Sequence, residues 1–197
     1  MGALLVLITI FLTVGAFRPP GLTRHSTALA TNSASTKPMS RKKVQAFFQL
    51  PMFAVVGAST DRSKFGNKVL RCYQENGKQV VPVNKRTKVI EDIQCVESLA
   101  AIALTLSEQA SFAVSNLQTF DLSPATVGVS IITPPGATRL IIEEGAALGF
   151  RHFFLQPGTF DEEVLELVAQ LKRVKDTKGL NVIHGCVLVE FGFDERR

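Results

Sequence analysis

The segment from Phe53 to Asn67 constrains the fold of this chain more than any other. Its first part, Phe53–Gly57, is a continuous apolar run, which predicts a strand buried on both faces. Gly57-Ala-Ser59 then supplies a turn of small residues, and Phe65-Gly-Asn67 leads into a helix predicted over 67–75. This order of strand, small-residue turn and helix is typical of a nucleotide-binding unit.

The next predicted strand, 79–83, ends in Asn84, Lys85 and Arg86. An NAD-binding fold usually places Asp or Glu at the end of this strand, where the carboxylate holds a ribose hydroxyl. Basic side chains there suit a phosphorylated ribose instead, as in coenzyme A or NADP. The segment therefore favours one of these two cofactors over NAD. A loop whose basic side chains are merely solvated is the alternative interpretation.

Strands and helices alternate along the rest of the chain. The further predicted strands are 127–133, 151–155, 180–183 and a closing segment at 186–189. The further predicted helices are 41–49, 97–106, 137–148 and one that starts at a capping box over 159–162. This alternation predicts an α/β fold with a Rossmann-like, doubly wound, mostly parallel sheet and helices on both faces.

Three local expectations go with this assignment. The helix over 137–148 is expected to bury Leu140, Ile141, Ala147 and Leu148. The stretch 111–126 shows no strong period and is interpreted as an irregular insertion. His152, at the start of a strand, is expected to be exposed.

The distribution of charge argues against a nucleic-acid-binding domain. The chain carries a formal charge of +5, but the first 50 residues hold six basic residues and no acidic ones. The remainder is close to neutral, whereas a nucleic-acid footprint needs basic residues clustered on the domain itself. The three cysteines, Cys72, Cys95 and Cys186, are too widely spaced for a metal-binding pair, and we interpret them as reduced thiols.

Residues 1–37 are interpreted as a targeting leader, and 38–197 as the folded domain. An apolar run at 3–17 ends in small residues, as in a signal peptide, and is followed by a Ser-, Thr- and Arg-containing stretch without acids. Ala16-Phe-Arg-Pro19 resembles the junction in bipartite leaders of secondary plastids, so we expect plastid targeting. A mitochondrial leader and a short membrane helix are the alternatives.

Four predicted turns should meet where the carboxyl ends of the strands lie, since ligands of doubly wound sheets bind there. Backbone amides at a helix start attract phosphate, Ser59 adds a hydroxyl, the prolines offer apolar walls for a pantetheine arm or a nicotinamide, and Gln156 offers an amide. Each turn by itself is also explained by ordinary turn chemistry. The candidate ligand-binding residues are Gly57, Ala58, Ser59, Phe65, Gly66, Asn67, Asn84, Lys85, Thr133, Pro134, Pro135, Gln156, Pro157 and Gly158.

Few residues suggest catalysis. His184 and Cys186 are close in sequence and could form a nucleophile pair, but Cys186 lies in an apolar run that favours a buried structural thiol. We assign no catalytic residue and no metal ligand.

These turns together resemble the CoA-binding domain family, the stand-alone relative of the N-terminal Rossmann-like domain of the succinyl-CoA synthetase alpha subunit. The resemblance covers about 48–190. The segments that carry it are Val55-Val-Gly-Ala-Ser59, Phe65-Gly-Asn67, Val81-Pro-Val-Asn84, Ile131-Ile-Thr-Pro-Pro135, Leu155-Gln-Pro-Gly158 and Gly185-Cys-Val-Leu-Val-Glu190.

The resemblance implies a small protein that binds coenzyme A or an acyl-CoA and does no chemistry unaided. Asn84 and Lys85 would lie near the adenosine and its phosphates, and the Thr133–Pro135 loop along the pantetheine. The alternatives are an NADP-dependent oxidoreductase, which needs a proton donor, and a redox or regulatory module that acts through Cys186. We expect a nucleotide ligand and neither a nucleic-acid nor a membrane partner for the mature domain, while a homodimer or a protein partner stays open.

Overall fold

The structure is a computed structural model that describes residues 41–108, 112–114, 118–120 and 122–193. The predicted leader, residues 1–37, lies outside the described residues. Of the helices that are described, none has the length and apolar character needed to cross a bilayer.

The elements follow the predicted alternation. The strands are β1 (Met52–Val56), β2 (Val80–Val83), β3 (Val89–Ile90), β4 (Ile93–Gln94), β5 (Phe112–Val114), β6 (Gln118–Phe120), β7 (Val127–Ile131), β8 (His152–Leu155) and β9 (Asn181–His184). The α-helices are α1 (Arg41–Phe48), α2 (Phe65–Glu75), α3 (Leu99–Glu108), α4 (Pro135–Ala147), α5 (Glu162–Leu171) and α6 (Val187–Phe191).

A five-stranded sheet runs in the order β2-β1-β7-β8-β9, and all of its pairings are parallel. The chain passes from β1 to β2 on one side and then crosses to β7 on the other side of β1. This reversal makes the carboxyl ends of β1 and β7 the switch point of the sheet, which is the usual ligand position. The doubly wound parallel sheet predicted from the sequence is confirmed.

Each face of the sheet has its own core, because successive side chains of a strand point to opposite faces. On one face, Phe53 and Val55 of β1 pack with buried residues of α1, α2 and α6. On the other face, Ala54 and Val56 pack with buried residues of α3, α4 and α5. The helices therefore cover both faces, as predicted.

The first of these cores is aromatic. Phe53 and Tyr73 stack with ring centroids 4.7 Å apart. The Tyr73 hydroxyl, which is fully buried, shares a 2.7 Å hydrogen bond with the hydroxyl of Ser130. This bond satisfies two polar groups that would otherwise destabilise the core. The same face buries Val44, Phe47 and Phe48 of α1, the residues that its sequence pattern places together.

The face that α4 turns to the sheet differs from the expected one. The buried residues of α4 are Thr138, Ile142, Gly145 and Ala146. Leu140 is 61% exposed, and Ala147 is exposed as well. Gly145 explains the rotation, because a Cβ at this position would lie 2.9 Å from the ring of Phe153 and 3.0 Å from Leu99. Gly145 and Ala146 are therefore buried against the sheet, which leaves Leu140 on a different face of the helix, toward a cleft.

The start of α5 also differs from the expected capping box. The N-cap residue is Asp161, whose carboxylate accepts a hydrogen bond from the Val164 amide at 3.1 Å. Thr159 lies before the helix start, and its hydroxyl donates to the Gln156 carbonyl at 2.8 Å. Glu162 and Glu163 occupy the first helical turn, so its predicted acidic character is confirmed.

The segment after β9 is a helix and not the predicted closing strand. Cys186 is the N-cap residue of α6, and Gly192, with a φ of +63°, ends the helix. Val187 is buried while Val189 is exposed. Burial on one side suits a helix packed on a neighbour, whereas a strand inside this sheet would be buried on both faces.

Two short hairpins lie between the main elements. The stretch interpreted as irregular contains β5 and β6, which pair antiparallel, followed by a 3-10 turn over Pro124–Thr126. Strands β3 and β4 also pair antiparallel. Their turn consists of Glu91 and Asp92, whose φ angles are 47° and 62°. Left-handed backbone is strained for such residues, so contacts made by the turn must stabilise it.

Candidate functional site

The first turn, between β1 and α2, is shaped by close approach of backbone to backbone. Gly57 has a φ of +91°, and a Cβ on it would lie 3.2 Å from the backbone of Ile132. The constraint at Gly66 is tighter, since a Cβ there would lie 2.1 Å from the carbonyl oxygen of Gly57. Glycine alone fits at Gly66, and its absence of a side chain lets α2 begin directly against the turn.

Asn67 is 0% exposed and stabilises this turn through its side-chain amide. Its Nδ2 donates to the Ser59 carbonyl at 2.9 Å and to the Glu91 carboxylate at 2.9 Å. Its Oδ1 accepts from Nε of Arg71 at 3.0 Å. Both ends of the amide are therefore bound to protein groups, and Asn67 positions the turn instead of facing a cleft. The bond to Glu91 also helps to hold the strained β3–β4 hairpin.

Asn84 joins the end of β2 to the same turn. Its Nδ2 donates to the Ala58 carbonyl at 2.8 Å, while its Oδ1 accepts from the amides of Arg86 and Thr87 at 2.7 and 3.2 Å. The side chain thus bends the chain after β2 and leaves Lys85 exposed.

A cleft of about 400 Å³ opens beside this bend, and we call it the Leu140 cleft. Val56, Val83 and Leu99 belong to its apolar lining, and Leu140 adds a side chain that is largely open to solvent. Its polar lining is Asn84, Lys85, Glu97, Ser98, Thr133 and Glu144. The cleft therefore combines an apolar wall with charges of both signs.

A second cleft of about 280 Å³ lies on the other side of Thr133, and we call it the Gln156 cleft. It is lined by Phe65, Ile132, Thr133, Pro134, Gln156, Pro157, Gly158 and Thr159. These residues come from the start of α2 and from the segments that follow β7 and β8. Phe65 is 49% exposed although it is a large aromatic residue.

Thr133 lines both clefts and is held by Thr138 of α4. The Thr138 hydroxyl donates to the Thr133 carbonyl at 3.0 Å, and the two hydroxyl oxygens lie 2.9 Å apart. A hydroxyl has one proton to donate, so the bond between the hydroxyls uses the proton of Thr133. Both protons are therefore bound within the protein.

Neither α2 nor α4 begins with a side-chain cap. The N-cap residues are Lys64 and Pro134, whose side chains accept no hydrogen bond from the helix, and neither first turn contains an acid. The first amides of a helix have no partner inside the helix and carry partial positive charge. The start of α2 is thus suited to an anion, whereas the start of α4 offers fewer amides because Pro135 has no N–H group.

The structure brings most of the candidate residues to these clefts. Those that line one or both are Phe65, Asn84, Lys85, Thr133, Pro134, Gln156, Pro157 and Gly158. Those that line neither, and instead shape the first turn or the start of α4, are Gly57, Ala58, Ser59, Gly66, Asn67 and Pro135. The sequence interpretation missed Leu140 and Ile141, which it placed in the core, as well as Leu99, Glu97 and Glu144.

The comparison with protein families agrees with this geometry. A family model described as a CoA binding domain matches residues 52–192. The chain belongs to this CoA binding domain family. The matched region contains all the residues that line the two clefts.

Solved structures share the fold of this CoA binding domain. A conserved hypothetical protein from Pyrococcus furiosus is 24% identical, with a TM-score of 0.52, and the match covers 71% of this chain and 97% of that one. A hypothetical protein from Pyrococcus horikoshii OT3 is 18% identical, with a TM-score of 0.54 and coverage of 77% and 88%. A protein from Thermus thermophilus is 23% identical, with a TM-score of 0.54 and coverage of 77% and 96%. No curated protein matches the chain.

The titratable groups of this CoA binding domain show the effect of burial. Burial raises the pKa of the Cys72 thiol to about 12, so this thiol stays protonated at neutral pH. His152 is half-buried and not exposed as expected, and burial lowers its pKa. Burial and the nearby charge of Lys172 lower the pKa of His184, whose ring stacks on Phe160 at 4.5 Å. Neutral histidines and a protonated thiol are the forms expected at pH 7.

Proposed function

We propose that this chain is a binding module that holds coenzyme A or an acyl-CoA across the Leu140 cleft and the Gln156 cleft. The observation that carries the proposal is the junction of the two clefts at Thr133, beside two uncapped helix starts. An extended ligand with phosphates at its centre and an apolar arm matches this arrangement. Membership of the CoA binding domain family supports the same ligand.

The phosphates have a suitable environment at α2. The closest acid in the loop, Asp61, accepts from the amide and the hydroxyl of Ser63 at 3.0 and 2.6 Å, so it is bound within the loop and does not cap the helix. Gly66 lets a ligand approach the backbone, and Lys64 and Lys85 are exposed cations. An anion placed here gains hydrogen bonds from helix amides together with favourable charge.

The apolar parts of the ligand have matching surfaces. Leu140 and Phe65 each expose large apolar side chains at the edge of a cleft. Covering apolar surface stabilises a complex by about 25 cal/mol per Å² before the losses of association are subtracted. We infer that a base covers Leu140 and that the pantetheine arm covers Phe65. Glu97 and Glu144 make the Leu140 cleft a better place for an adenine amino group than for a phosphate.

The proposal is tested by thermal unfolding of the full chain with coenzyme A, acetyl-CoA, NADP, NAD or ATP. A ligand that binds only the native state raises the unfolding free energy by about 2.7 kcal/mol at a hundredfold excess over its Kd. We expect this increase with the two CoA compounds and a smaller one for Lys85→Ala. Lys88→Ala is the matched control, since Lys88 is exposed nearby but is absent from both cleft linings. Equal shifts with NAD, or none with CoA compounds, would refute the proposal.

An NADP-dependent oxidoreductase is the second candidate, and the exposed Lys85 at the rim of the Leu140 cleft favours it. A lysine there would serve a 2′-phosphate as well as it serves the phosphates of coenzyme A. A stability increase with NADP and none with coenzyme A would support this candidate and reject the first.

A further inference from the structure

The Gln156 cleft contains one polar group without a partner. Gln156 is 1% exposed, and its Oε1 accepts a hydrogen bond from the Val187 amide at 3.1 Å. A backbone amide can only donate, so this bond sets the orientation of the side-chain amide and leaves Nε2 as a free donor. Among the described residues, nothing accepts a hydrogen bond from this nitrogen.

A buried donor without an acceptor is destabilising, and in native proteins it usually indicates a missing partner. Neither Thr133 nor Thr159, the other polar side chains of the cleft, accepts a hydrogen bond from this nitrogen. Thr159 donates its proton to the Gln156 carbonyl, and the hydroxyls of Thr133 and Thr138 are bonded to each other. Among the polar side chains that line the cleft, only Nε2 of Gln156 therefore has N–H protons that are free to donate to a ligand.

The walls around this donor are apolar. Phe65, Ile132, Pro134 and Pro157 line the cleft with it. The matching ligand group is an acceptor oxygen flanked by carbon and sulfur, with no proton of its own. A thioester carbonyl has this composition, whereas the thiol of free coenzyme A is only a weak acceptor.

We propose that the Gln156 cleft is an acyl-thioester subsite in which Nε2 of Gln156 donates to the carbonyl oxygen of an acyl-CoA. The inference rests on the proposed function and makes the acylated form the preferred ligand. A cleft of about 280 Å³ has room for a short acyl chain against Phe65 and Pro134. Gln156 is 1% exposed, so a small displacement of the cleft wall must accompany binding of the oxygen.

The test compares ligands that differ in one oxygen atom. S-ethyl-CoA has the length of acetyl-CoA but no thioester carbonyl, and coenzyme A has neither the thioester carbonyl nor an acyl chain. Their dissociation constants are measured by calorimetry with the full chain and with Gln156→Met, which keeps the volume and removes both the donor and the oxygen that binds the Val187 amide. We expect the full chain to bind acetyl-CoA about tenfold more tightly than S-ethyl-CoA, as one well-placed hydrogen bond allows, and Gln156→Met to bind the two equally.

The ratio of the two affinities is insensitive to partial loss of folding, since both ligands meet the same sample. Equal affinities in the unaltered chain, or a ratio that survives Gln156→Met, would overturn the inference and leave the CoA assignment standing. If Gln156→Met weakens the binding of all three ligands equally, Gln156 contacts a pantetheine amide instead, and this outcome also overturns the inference. If none of the three binds, the CoA assignment itself fails, and the subsite fails with it.

Discussion

Helices α5 and α2 both follow a strand of the parallel sheet, yet their first turns differ in charge and capping. Helix α5 has Asp161 as its cap and two glutamates in its first turn. Helix α2 has the cation Lys64 at the corresponding position, no side-chain cap and no acid in its first turn. Lysine at a helix start is electrostatically unfavourable. The first amides of α2 therefore lack the negative partner that Asp161 and the two glutamates give to α5. The difference supports the proposal that the phosphates of the ligand bind at the start of α2.

Helix α4, which follows β7 of the same sheet, can be compared in the same way. Helix α4 begins at Pro134 and Pro135, also without a cap or an acid, and it lies next to both clefts. Of these three helices, the two without a side-chain cap follow β1 and β7 at the switch point, and the capped one follows β8. Helix α6, which follows β9, also lacks a side-chain cap.

The largest expected effect comes from closing the space at the start of α2. Gly66→Ala would place a Cβ 2.1 Å from the Gly57 carbonyl oxygen, so the turn or the helix must move. We expect the unfolding free energy in urea to fall by about 3 kcal/mol and coenzyme A binding to be lost.

Gly136→Ala is the matched control in the first turn of α4, where a Cβ meets nothing within 4 Å. It should leave stability unchanged or raise it by about 0.5 kcal/mol, because alanine favours helix more than glycine does. A similar loss in both variants would show that the close contact at Gly66 is unimportant.

The second prediction concerns a variant in which α2 receives an aspartate cap like that of α5. Lys64 has extended backbone, with φ −80° and ψ 146°, as a capping residue requires. Lys64→Asp should raise the unfolding free energy by about 1 kcal/mol. It should also weaken coenzyme A binding about tenfold, because its carboxylate competes for the amides and repels phosphate. Lys64→Ala removes the cation without adding a cap, and it should weaken binding less. Unchanged affinity in Lys64→Asp would place the phosphates elsewhere.

The third prediction removes the cap of α5. Asp161→Ala loses the bond to the Val164 amide and should lower the unfolding free energy by about 1 kcal/mol in chemical denaturation. Asp161→Asn retains an acceptor oxygen and should lose less. Neither variant should change the affinity for coenzyme A, and a large change in affinity would contradict the division between the two helix starts.

The smallest expected effect concerns pH at the entry to α5, where His184 stacks on Phe160. Burial, followed by the charge of Lys172, lowers the pKa of His184 from 6.5 in the folded state. The unfolded chain then binds more protons, so stability is full above about pH 6.5 and declines as pH falls through the lowered pKa. His184→Phe should reduce this decline between about pH 7 and pH 5 in denaturation curves. An identical decline in both proteins would assign it to His152 and the carboxylates.

Patterns that repeat along the chain were enough to predict the main elements. The apolar run before Gly57, the helical spacing in α1 and the acids at the start of α5 each depend on neighbours within a few residues. The alternation of strands and helices then restricted the sheet to a doubly wound form, because parallel strands need helical crossovers. The positions of the four turns at the carboxyl edge follow from that topology.

The orientation of each helix on the sheet and the partners of individual side chains could not be predicted in the same way. Leu140 has helical spacing with Ala147 and Leu148, which predicted a buried face, but the tight packing of Gly145 on Phe153 turns Leu140 toward a cleft. Thr159 and Asp161 are both good capping residues, and only the structure shows that Asp161 accepts the bond from the helix while Thr159 bonds the preceding turn. The segment after Cys186 is apolar enough for a strand, and only its packing against one side of the protein makes it a helix.

The sequence alone determined the fold class, the order of the main strands and helices through β9, and the turns that carry the candidate ligand-binding residues. These properties depend on the local spacing of residues and on the general handedness of crossover connections, and both can be assessed from the sequence. The tertiary structure decided which of those residues face a cleft and which support it. Asn67 and Asn84 have both amide atoms bound by protein groups, whereas Gln156 keeps an unpaired nitrogen. That distinction depends on partners far away in sequence, because a hydrogen bond is satisfied by proximity in space.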